Sequence, residues 1–265
     1  MKYVAHRLLA LVMILGCAPA ARGVITVYDL RVDFSNSSNP NGTWRYYKGN
    51  TLLTHFTPVT NATLALATAN GFWGDTSSSN NSAIMKTTAN GSATGSWTDS
   101  DFLIDEVLVR TTDPSTGGPM TVTWTAPSAG SFTYNGFIWL ANGPLGPGGN
   151  SFALWLNASP PIETGQATIG QNRTNVSGFV NGATPVNVLA GDVLSLQLDS
   201  IAPFPTGSLA GVSWTIDFTP VPEPASASIA LMALAAVIFR RPGTKKGIEP
   251  APPVKPGCAA PRDYL

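Results

Sequence analysis

The stretches Val193–Leu198 (VLSLQL) and Ser213–Phe218 (SWTIDF) decide the fold. In both, apolar and polar residues alternate, as expected for a β-strand with one face on a core and the other in water. Similar short runs recur through the middle of the chain, separated by clusters of Gly, Pro, Asn and Ser. No run between the two ends shows the apolar spacing of a helix. The sequence therefore predicts an all-β protein.

The predicted strands are short and number about ten. They cover Val24–Phe34, Leu52–Phe56, Thr63–Ala67, Phe102–Arg110, Met120–Thr125, Ser131–Leu140, Ser151–Leu156, Val186–Leu189, Val193–Leu198 and Ser213–Phe218. Strands of this length with turn signals between them favour a β-sandwich of the jelly-roll type. Two turns are specific: NPNG at 39–42 precedes an aromatic run, and Trp124 to Phe132 (WTAPSAGSF) is predicted to form a hairpin.

The composition limits what the protein can do. Charged residues make up 11 % of the chain and the formal net charge is zero, so no excess of Lys and Arg favours nucleic acid as a partner. The two cysteines, Cys17 and Cys258, lie outside the predicted β-domain. This domain, expected over 24–219, must therefore be stable without disulfides.

The first residues have the pattern of a secretory signal peptide. Lys2 and Arg7 give a basic start, and Leu8–Leu15 (LLALVMIL) follows as an apolar run too short to span a bilayer. Ala18 and Ala20 are the small residues that a signal peptidase reads, so we expect residues 1–20 to be removed. The alternative is a lipobox ending at Cys17, which would be lipidated and become the new N-terminus.

The C-terminal region contains a second apolar segment. Val221–Pro224 (VPEP) has two prolines that no helix or strand continues, and Ala225–Phe239 follows without a charge. About 15 residues rise ~22 Å as a helix, which predicts a short transmembrane helix over 225–239. Arg240 and Arg241 follow it and place this end in the cytoplasm.

This order of features resembles the PEP-CTERM sorting signal of Gram-negative envelope proteins. The resemblance implies that Val221, Pro222, Glu223 and Pro224 form the motif recognised by an exosortase, a membrane protease-transpeptidase, and that Arg240 and Arg241 end the 221–241 signal. Family members are linked to exopolysaccharide and biofilm matrix. Family chains usually end close to the arginines, whereas here residues 242–265 form a tail rich in Pro and Lys that we expect to be disordered.

Three stretches of the β-domain also resemble a jelly-roll module of PEP-CTERM and related envelope proteins, similar in build to carbohydrate-binding modules. They are Asp33–Trp44, Val122–Pro127 and Ala190–Asp192. The resemblance implies the fold rather than the ligand.

The sequence indicates no catalytic or metal site. After removal of the signal peptide, His55 is the one histidine, and a single His in an apolar strand is more often structural than catalytic. The densest acidic cluster is Asp99, Asp101, Asp105 and Glu106, which could supply oxygen ligands to Ca²⁺. We interpret it as a solvated strand start with Asp105 exposed. We therefore expect no enzyme activity, no metal and no cofactor, with Ca²⁺ as the alternative to test.

Tryptophan is the residue type that points to a ligand. There are 7 tryptophans, and exposed rings beside Asn and Asp are what sugar binding uses. Trp44 and Trp73 lie beside Gly- and Asn-rich loops (NPNGTW and ANGFWGD) and are the predicted ligand-binding residues.

We therefore expect an exported cell-envelope or extracellular-matrix protein that associates with exopolysaccharide. Its expected partners are signal peptidase, an exosortase, the membrane and the polysaccharide, with no nucleic acid. It would be anchored by the C-terminal helix until processing and then lie at the outer surface or in the matrix. The alternative is a structural surface protein that acts by protein contacts and has no carbohydrate ligand.

Overall fold

The structure is a computed structural model that describes residues 23–58, 69–74, 82–91, 101–111, 118–141, 148–181, 184–201 and 208–221. The signal peptide, Pro222–Pro224, the 225–239 segment, Arg240, Arg241, the tail and the strand predicted at Thr63–Ala67 lie outside these residues, so they stay predictions. No helix within the described ranges is long and apolar enough to cross a membrane.

The described residues form β-strands and a single helical turn, α1, which spans Leu30–Asp33. The strands are β1 Thr26–Asp29, β2 Trp44–Lys48, β3 Thr51–Leu52, β4 His55–Pro58, β5 Ala69–Gly74, β6 Ala83–Thr87, β7 Val107–Arg110, β8 Met120–Thr125, β9 Gly130–Leu140, β10 Asn150–Leu156, β11 Glu163–Ala167, β12 Ser177–Val180, β13 Val186–Val188, β14 Val193–Ser200 and β15 Leu209–Pro220. This confirms the prediction of an all-β protein.

Two antiparallel sheets make up the domain. The nine-stranded sheet (the large sheet) has the order β12-β9-β15-β7-β6-β5-β4, with β1 also pairing β15 and β13 also pairing β9. The six-stranded sheet (the small sheet) has the order β11-β10-β14-β8-β2-β3. From β8 onward the chain passes repeatedly between the sheets, which confirms the predicted sandwich.

The core lies between the two sheets and is built by alternation along the strands. In β14, Leu194, Leu196 and Leu198 are fully buried, whereas the residues between them are partly exposed. In β15, Trp214 and Ile216 point into the same core from the large sheet. The period-two pattern of these two stretches therefore sets which face of each sheet is inside.

The predicted hairpin at Trp124–Phe132 is wrong. Here β8 belongs to the small sheet and β9 to the large sheet, so the chain crosses the sandwich between Ala126 and Ala129. Trp124 and Phe132 face each other across the core, with ring centroids 5.6 Å apart. Burying both rings between two sheets removes more apolar surface from water than pairing them on one sheet.

The predicted strand Val24–Phe34 is also shorter than expected. It ends at Asp29, whose carboxylate accepts a hydrogen bond from the Arg31 N–H at 2.8 Å and caps α1. The predicted strand Leu52–Phe56 is divided between β3 and β4, which belong to different sheets. In each case a local hydrogen bond or a change of sheet interrupts an apolar run.

The turn predicted at 39–42 is confirmed and leads directly into β2. The Asn39 side chain accepts a hydrogen bond from the Tyr46 N–H at 2.9 Å and donates to the carbonyl oxygens of Tyr46 and Leu53 at 2.9 and 2.6 Å. The amide thus pairs with main-chain groups as a neighbouring strand would, and it holds the start of β2 in place.

A second, smaller core covers part of the outer side of the large sheet. Its buried members include Phe72, Met85, Phe102, Leu108 and Trp139. The Trp139 ring lies directly on the backbone of Gly211, so a Cβ at position 211 would overlap the indole. A glycine is required here because two layers approach more closely than any side chain allows.

We predict that Gly211→Ala lowers the free energy of unfolding by about 1–3 kcal/mol, because the new methyl group displaces the Trp139 ring. Urea denaturation followed by circular dichroism measures this. The control is Gly178→Ala, another strand glycine of the large sheet, where the nearest atom to an added Cβ is 3.6 Å away. Its change should stay below about 1 kcal/mol. Equal effects at both positions would contradict the close packing of Trp139 on Gly211.

Candidate functional site

The two tryptophans predicted to bind sugar are not exposed. Trp44 is 1 % exposed and Trp73 is 3 % exposed. The Trp44 Nε1 donates a hydrogen bond to Asp33 at 3.0 Å, and the Trp73 Nε1 donates to the Ser35 carbonyl oxygen at 2.8 Å. The expected exposure of both rings is therefore wrong. The 39–42 turn precedes Trp44 but β2 carries its ring inward, and the stretch ANGFWG is strand β5 itself, which carries the Trp73 ring inward.

Trp155 is the described tryptophan that stays partly exposed. Trp124, Trp139 and Trp214 are buried like Trp44 and Trp73, and Trp97 lies outside the described residues. In β10, Phe152 and Leu154 point into the core, so Trp155 and Ser151 point outward. Trp155 therefore belongs to the outer face of the small sheet, which we call the outer face.

The outer face is arranged in rows that run across the strands. One row follows the register from Trp155 on β10 to Ser195 on β14, Thr123 on β8 and Arg45 on β2. The Arg45 guanidinium donates a hydrogen bond to the Thr125 hydroxyl. Arg45 is thus held along the sheet, and the row combines a ring, two hydroxyls and a positioned cation.

The next row contains a second aromatic side chain. It runs from Thr164 on β11 through Ala153 and Gln197 to Thr121 and Tyr47 on β2. Three strand spacings of about 4.8 Å and an offset of two residues along the strands separate the Cα atoms of Trp155 and Tyr47 by roughly 16 Å. Two partly exposed rings thus lie on the same face with hydroxyl and amide groups between them.

A groove of about 380 Å³ lies on the β11 side of the outer face. Its lining includes Ser151, Gln166, Gln197 and Asp199, which carry hydrogen-bonding groups on three neighbouring strands. Burial raises the pKa of Asp199. Its carboxylate makes no hydrogen bond or ion pair with another described residue, so its desolvation is uncompensated by the part of the chain that the structure describes.

Two further polar atoms on the outer face are buried and lack a partner among the described residues. They are the Thr121 hydroxyl and the Trp155 Nε1. Such groups cost free energy in the free protein. Unpaired polar atoms on the same face as Asp199 are typical of a surface shaped for a hydrogen-bonding ligand rather than for stability alone.

The chemistry of the outer face suits a flat, hydroxyl-rich molecule. Aromatic rings stack on the apolar C–H face of such a ligand, and amides, hydroxyls and a carboxylate bond to its hydroxyl groups. The alternating pattern of β10 could have shown that Trp155 points outward, because Phe152 and Leu154 are the apolar members. The sequence does not indicate that Trp155, Tyr47 and Asp199 lie on the same face, because this depends on the order of the strands in the sheet.

The acidic cluster is used for internal contacts. Asp101 accepts a hydrogen bond from the Arg173 N–H, and Glu106 accepts one from the Leu103 N–H at 2.7 Å. Asp105 is exposed, as expected, and its carboxylate is 3.6 Å from the Lys86 Nζ. Asp99 lies outside the described residues. In the described ranges, no group of three or more His, Cys, Asp or Glu residues could hold a metal ion.

Comparisons with known proteins identify no family for the chain. No family model matches it, and no curated protein matches it. Among solved structures, the chain is similar to a family 51 carbohydrate-binding module from Clostridium perfringens in complex with methyl-galactose. The two share 8 % identity, the match covers 72 % of this chain and 99 % of that chain, and the TM-score is 0.33. It is also similar to a family 35 carbohydrate-binding module from Clostridium thermocellum, with 11 % identity, coverage of 73 % and 97 %, and a TM-score of 0.29.

A third similar structure is the K1 cleaved adhesin domain of Lys-gingipain from Porphyromonas gingivalis, with 6 % identity, coverage of 75 % and 99 %, and a TM-score of 0.33. Likenesses of this size do not say what this chain binds. A shared fold of this kind does not determine a ligand.

We predict that Asp199→Asn raises the stability of the protein at neutral pH, because the amide carries no charge that burial penalises. The pKa of Asp199 is raised by burial in the folded state, so the wild type binds its proton more tightly when folded. Protonation of Asp199 therefore contributes to the stability of the folded protein. This contribution is fully present below the pKa of the unfolded chain, about 4, and is lost as the pH rises through the pKa of the folded protein. The advantage of the variant should therefore shrink as the pH falls.

Urea denaturation of both proteins between pH 4 and pH 8 measures this difference. Asp217→Asn, at an exposed strand carboxylate of the large sheet, is the matched control for the substitution. An Asp199→Asn protein that is less stable than the wild type at pH 7 would show that the carboxylate has a stabilising partner.

Proposed function

We propose that this chain is an exported cell-envelope or matrix protein whose β-sandwich binds polysaccharide without cleaving it. The observation that carries the proposal is the outer face, where the partly exposed rings of Trp155 and Tyr47 lie on either side of hydroxyl and amide groups. A single sugar cannot contact both rings at roughly 16 Å, so the ligand is an oligosaccharide or a longer chain.

The polar groups on this face support a sugar over a protein or a charged polymer. Thr121, Gln197 and Asp199 are short or planar hydrogen-bonding groups of the kind that satisfy hydroxyls in several directions. A glycosidase needs two carboxyl groups placed on either side of the scissile bond. Among the described residues of the outer face, Asp199 is the one carboxylate, which is why we propose binding rather than hydrolysis.

The envelope location is proposed from the two ends of the chain. Residues 1–20 would be removed by signal peptidase, and an exosortase would process the 221–241 signal after the 225–239 helix has anchored the protein. Val221, the first residue of this signal, is exposed where the described domain ends.

A second candidate function is a structural role through protein contacts. Val24, Ile25 and Val27 are all at least 60 % exposed, and they lie on or beside β1, which pairs with β15 alone among the described strands. A strand edge with exposed apolar side chains can pair with another chain. This would account for matrix assembly without a carbohydrate ligand.

We predict that Trp155→Ala weakens binding of a neutral polysaccharide about tenfold or more, which corresponds to a loss of about 1.4 kcal/mol. Tyr47→Ala should weaken it as well, because each ring supplies one stacking surface. Affinity electrophoresis of the full chain through gels that contain single polysaccharides identifies a ligand, and isothermal titration calorimetry then measures the affinities of the variants.

Phe137→Ala is the matched control, because Phe137 is a partly exposed ring on the large sheet. It should leave the affinity for a neutral polysaccharide unchanged. Retention of full affinity by the Trp155→Ala, Tyr47→Ala double variant would reject the outer face as the binding site. Absence of retardation in every gel would favour the structural role.

We also predict that the mature protein from a host with a matching exosortase ends near Pro222–Pro224 and begins after Ala20. Intact mass spectrometry reads both termini at once. Replacing Pro222 and Pro224 by Ala should leave the C-terminus unprocessed, because it removes the motif without changing the apolar segment. A mature C-terminus at Leu265 in the wild type would contradict sorting, and an acylated Cys17 would contradict cleavage after Ala20.

A further inference from the structure

A second cleft lies on the opposite side of the sandwich, where one edge of β15 changes its partner. Along this edge β7 pairs with Leu209–Val212 and β1 pairs with Thr215–Phe218. Ser213 and Trp214 therefore have no strand partner on this side. The helical turn α1 follows β1, so the chain leaves the sheet beside this gap.

The cleft at this gap has a volume of about 330 Å³. The residues that give it chemical character are Arg31, Glu106, Phe137, Trp139, Arg173 and Ser213. They come from α1, the start of β7, β9, the segment before β12, and β15. We call it the Arg173 cleft.

Arg173 is held in a defined position. One of its terminal nitrogens, Nη2, donates a hydrogen bond to the Glu106 carboxylate. Its guanidinium lies over the Trp139 ring, 5.7 Å from the ring centroid. The side chain keeps 32 % of its surface exposed, so the cation is fixed at the base of the cleft but stays accessible.

Arg31 supplies a second guanidinium to the same cleft. Its side chain makes no hydrogen bond or ion pair with any described residue, and it is exposed. The described lining therefore carries two positive groups and one negative group, Glu106. The Asp101 and Asp29 carboxylates also lie beside these arginines, where they accept hydrogen bonds from the main-chain N–H groups of Arg173 and Arg31. The Arg173 Nε is buried and has no hydrogen-bond partner among the described residues, so this N–H and the Arg31 guanidinium can donate to a carboxylate of a ligand.

Phe137 gives the cleft an apolar surface. Phe137 is 36 % exposed although its strand, β9, pairs with strands on both sides. It lies between Gly178 on β12 and Ser213 on β15 in the register of the large sheet. The ring lies against the backbone at Gly178, where an added Cβ would be 3.6 Å from the nearest ring atom, and Ser213 is exposed on the other side.

From this arrangement we propose that the Arg173 cleft binds a sugar residue that carries a carboxylate, such as a uronic acid within a polysaccharide. The proposal rests on the proposed function, and it names an acidic class of polysaccharide for a site distinct from the outer face. Arg31 and the free N–H groups of Arg173 bind the carboxylate, Phe137 stacks on the sugar ring, and Ser213 bonds to a hydroxyl.

Calorimetry of the full chain with trigalacturonate, compared with its fully methyl-esterified form, tests the proposal. The two probes have the same sugar rings, and only the first is charged. We expect the acid to bind at least tenfold more tightly than the ester, with an affinity that falls as salt increases. Equal binding of acid and ester, or tighter binding of the ester, would overturn the proposal.

Arg31→Gln locates the site with little risk to folding, because the Arg31 side chain is exposed and makes no hydrogen bond or ion pair with a described residue. It should lower the affinity for trigalacturonate at least tenfold, and Phe137→Ala should also lower it because the stacking surface is lost. Unchanged affinity in both variants would place the acidic ligand elsewhere. Displacement of trigalacturonate by acetate at similar concentration would show a simple anion site and would overturn recognition of a sugar.

Trp155→Ala separates this proposal from the proposed function. It should leave trigalacturonate affinity unchanged while binding of a neutral polysaccharide is lost. Loss of the acidic ligand in Trp155→Ala with retention in Arg31→Gln would overturn the Arg173 cleft and still support the outer face. If Trp155→Ala keeps its affinity for trigalacturonate and Arg31→Gln loses it, the Arg173 cleft is the acidic site, whether or not the outer face binds a neutral polysaccharide.

Discussion

The contact between Trp124 and the aromatic rings that surround it is the interaction on which the rest of the structure depends. Tyr28, Phe132 and Phe218 each lie with ring centroids 5.6 Å from Trp124, and all three come from the large sheet whereas Trp124 comes from the small sheet. Cys17 and Cys258 lie outside residues 24–219, so no disulfide joins the sheets of this domain. Burial of large side chains, at about 1.5–3 kcal/mol each, has to hold the sheets together.

This central packing determines what each sheet can present to the outside. Once Met120, Val122 and Trp124 point inward, Thr121 and Thr123 must point outward, because successive strand residues alternate. The outer sides of the two sheets then differ in their chemistry. The small sheet carries the rows of the outer face, whereas a second apolar core around Trp139 covers part of the large sheet.

The two proposed sites use these different surroundings in different ways. The outer face is broad, and Arg45 in one row and Asp199 in the groove are the charged residues described on it, which favours a long and mainly neutral ligand. The Arg173 cleft is a small opening with two guanidinium groups, which favours a single acidic residue. Sites on opposite sides of one sandwich would allow one molecule to contact two polysaccharide strands, a property suited to a matrix component.

The sequence by itself determined the all-β class, the turn at 39–42 and the strands β8, β9, β10, β14 and β15 to within a few residues, because alternation and turn residues are local properties. Only the tertiary structure decided that Trp44 and Trp73 are buried, that Trp124 and Phe132 lie on opposite sheets, and that Trp155, Tyr47 and Asp199 share one face. Each of these depends on which strands are neighbours, and strand order is set by the burial of all inner faces together rather than by any single segment.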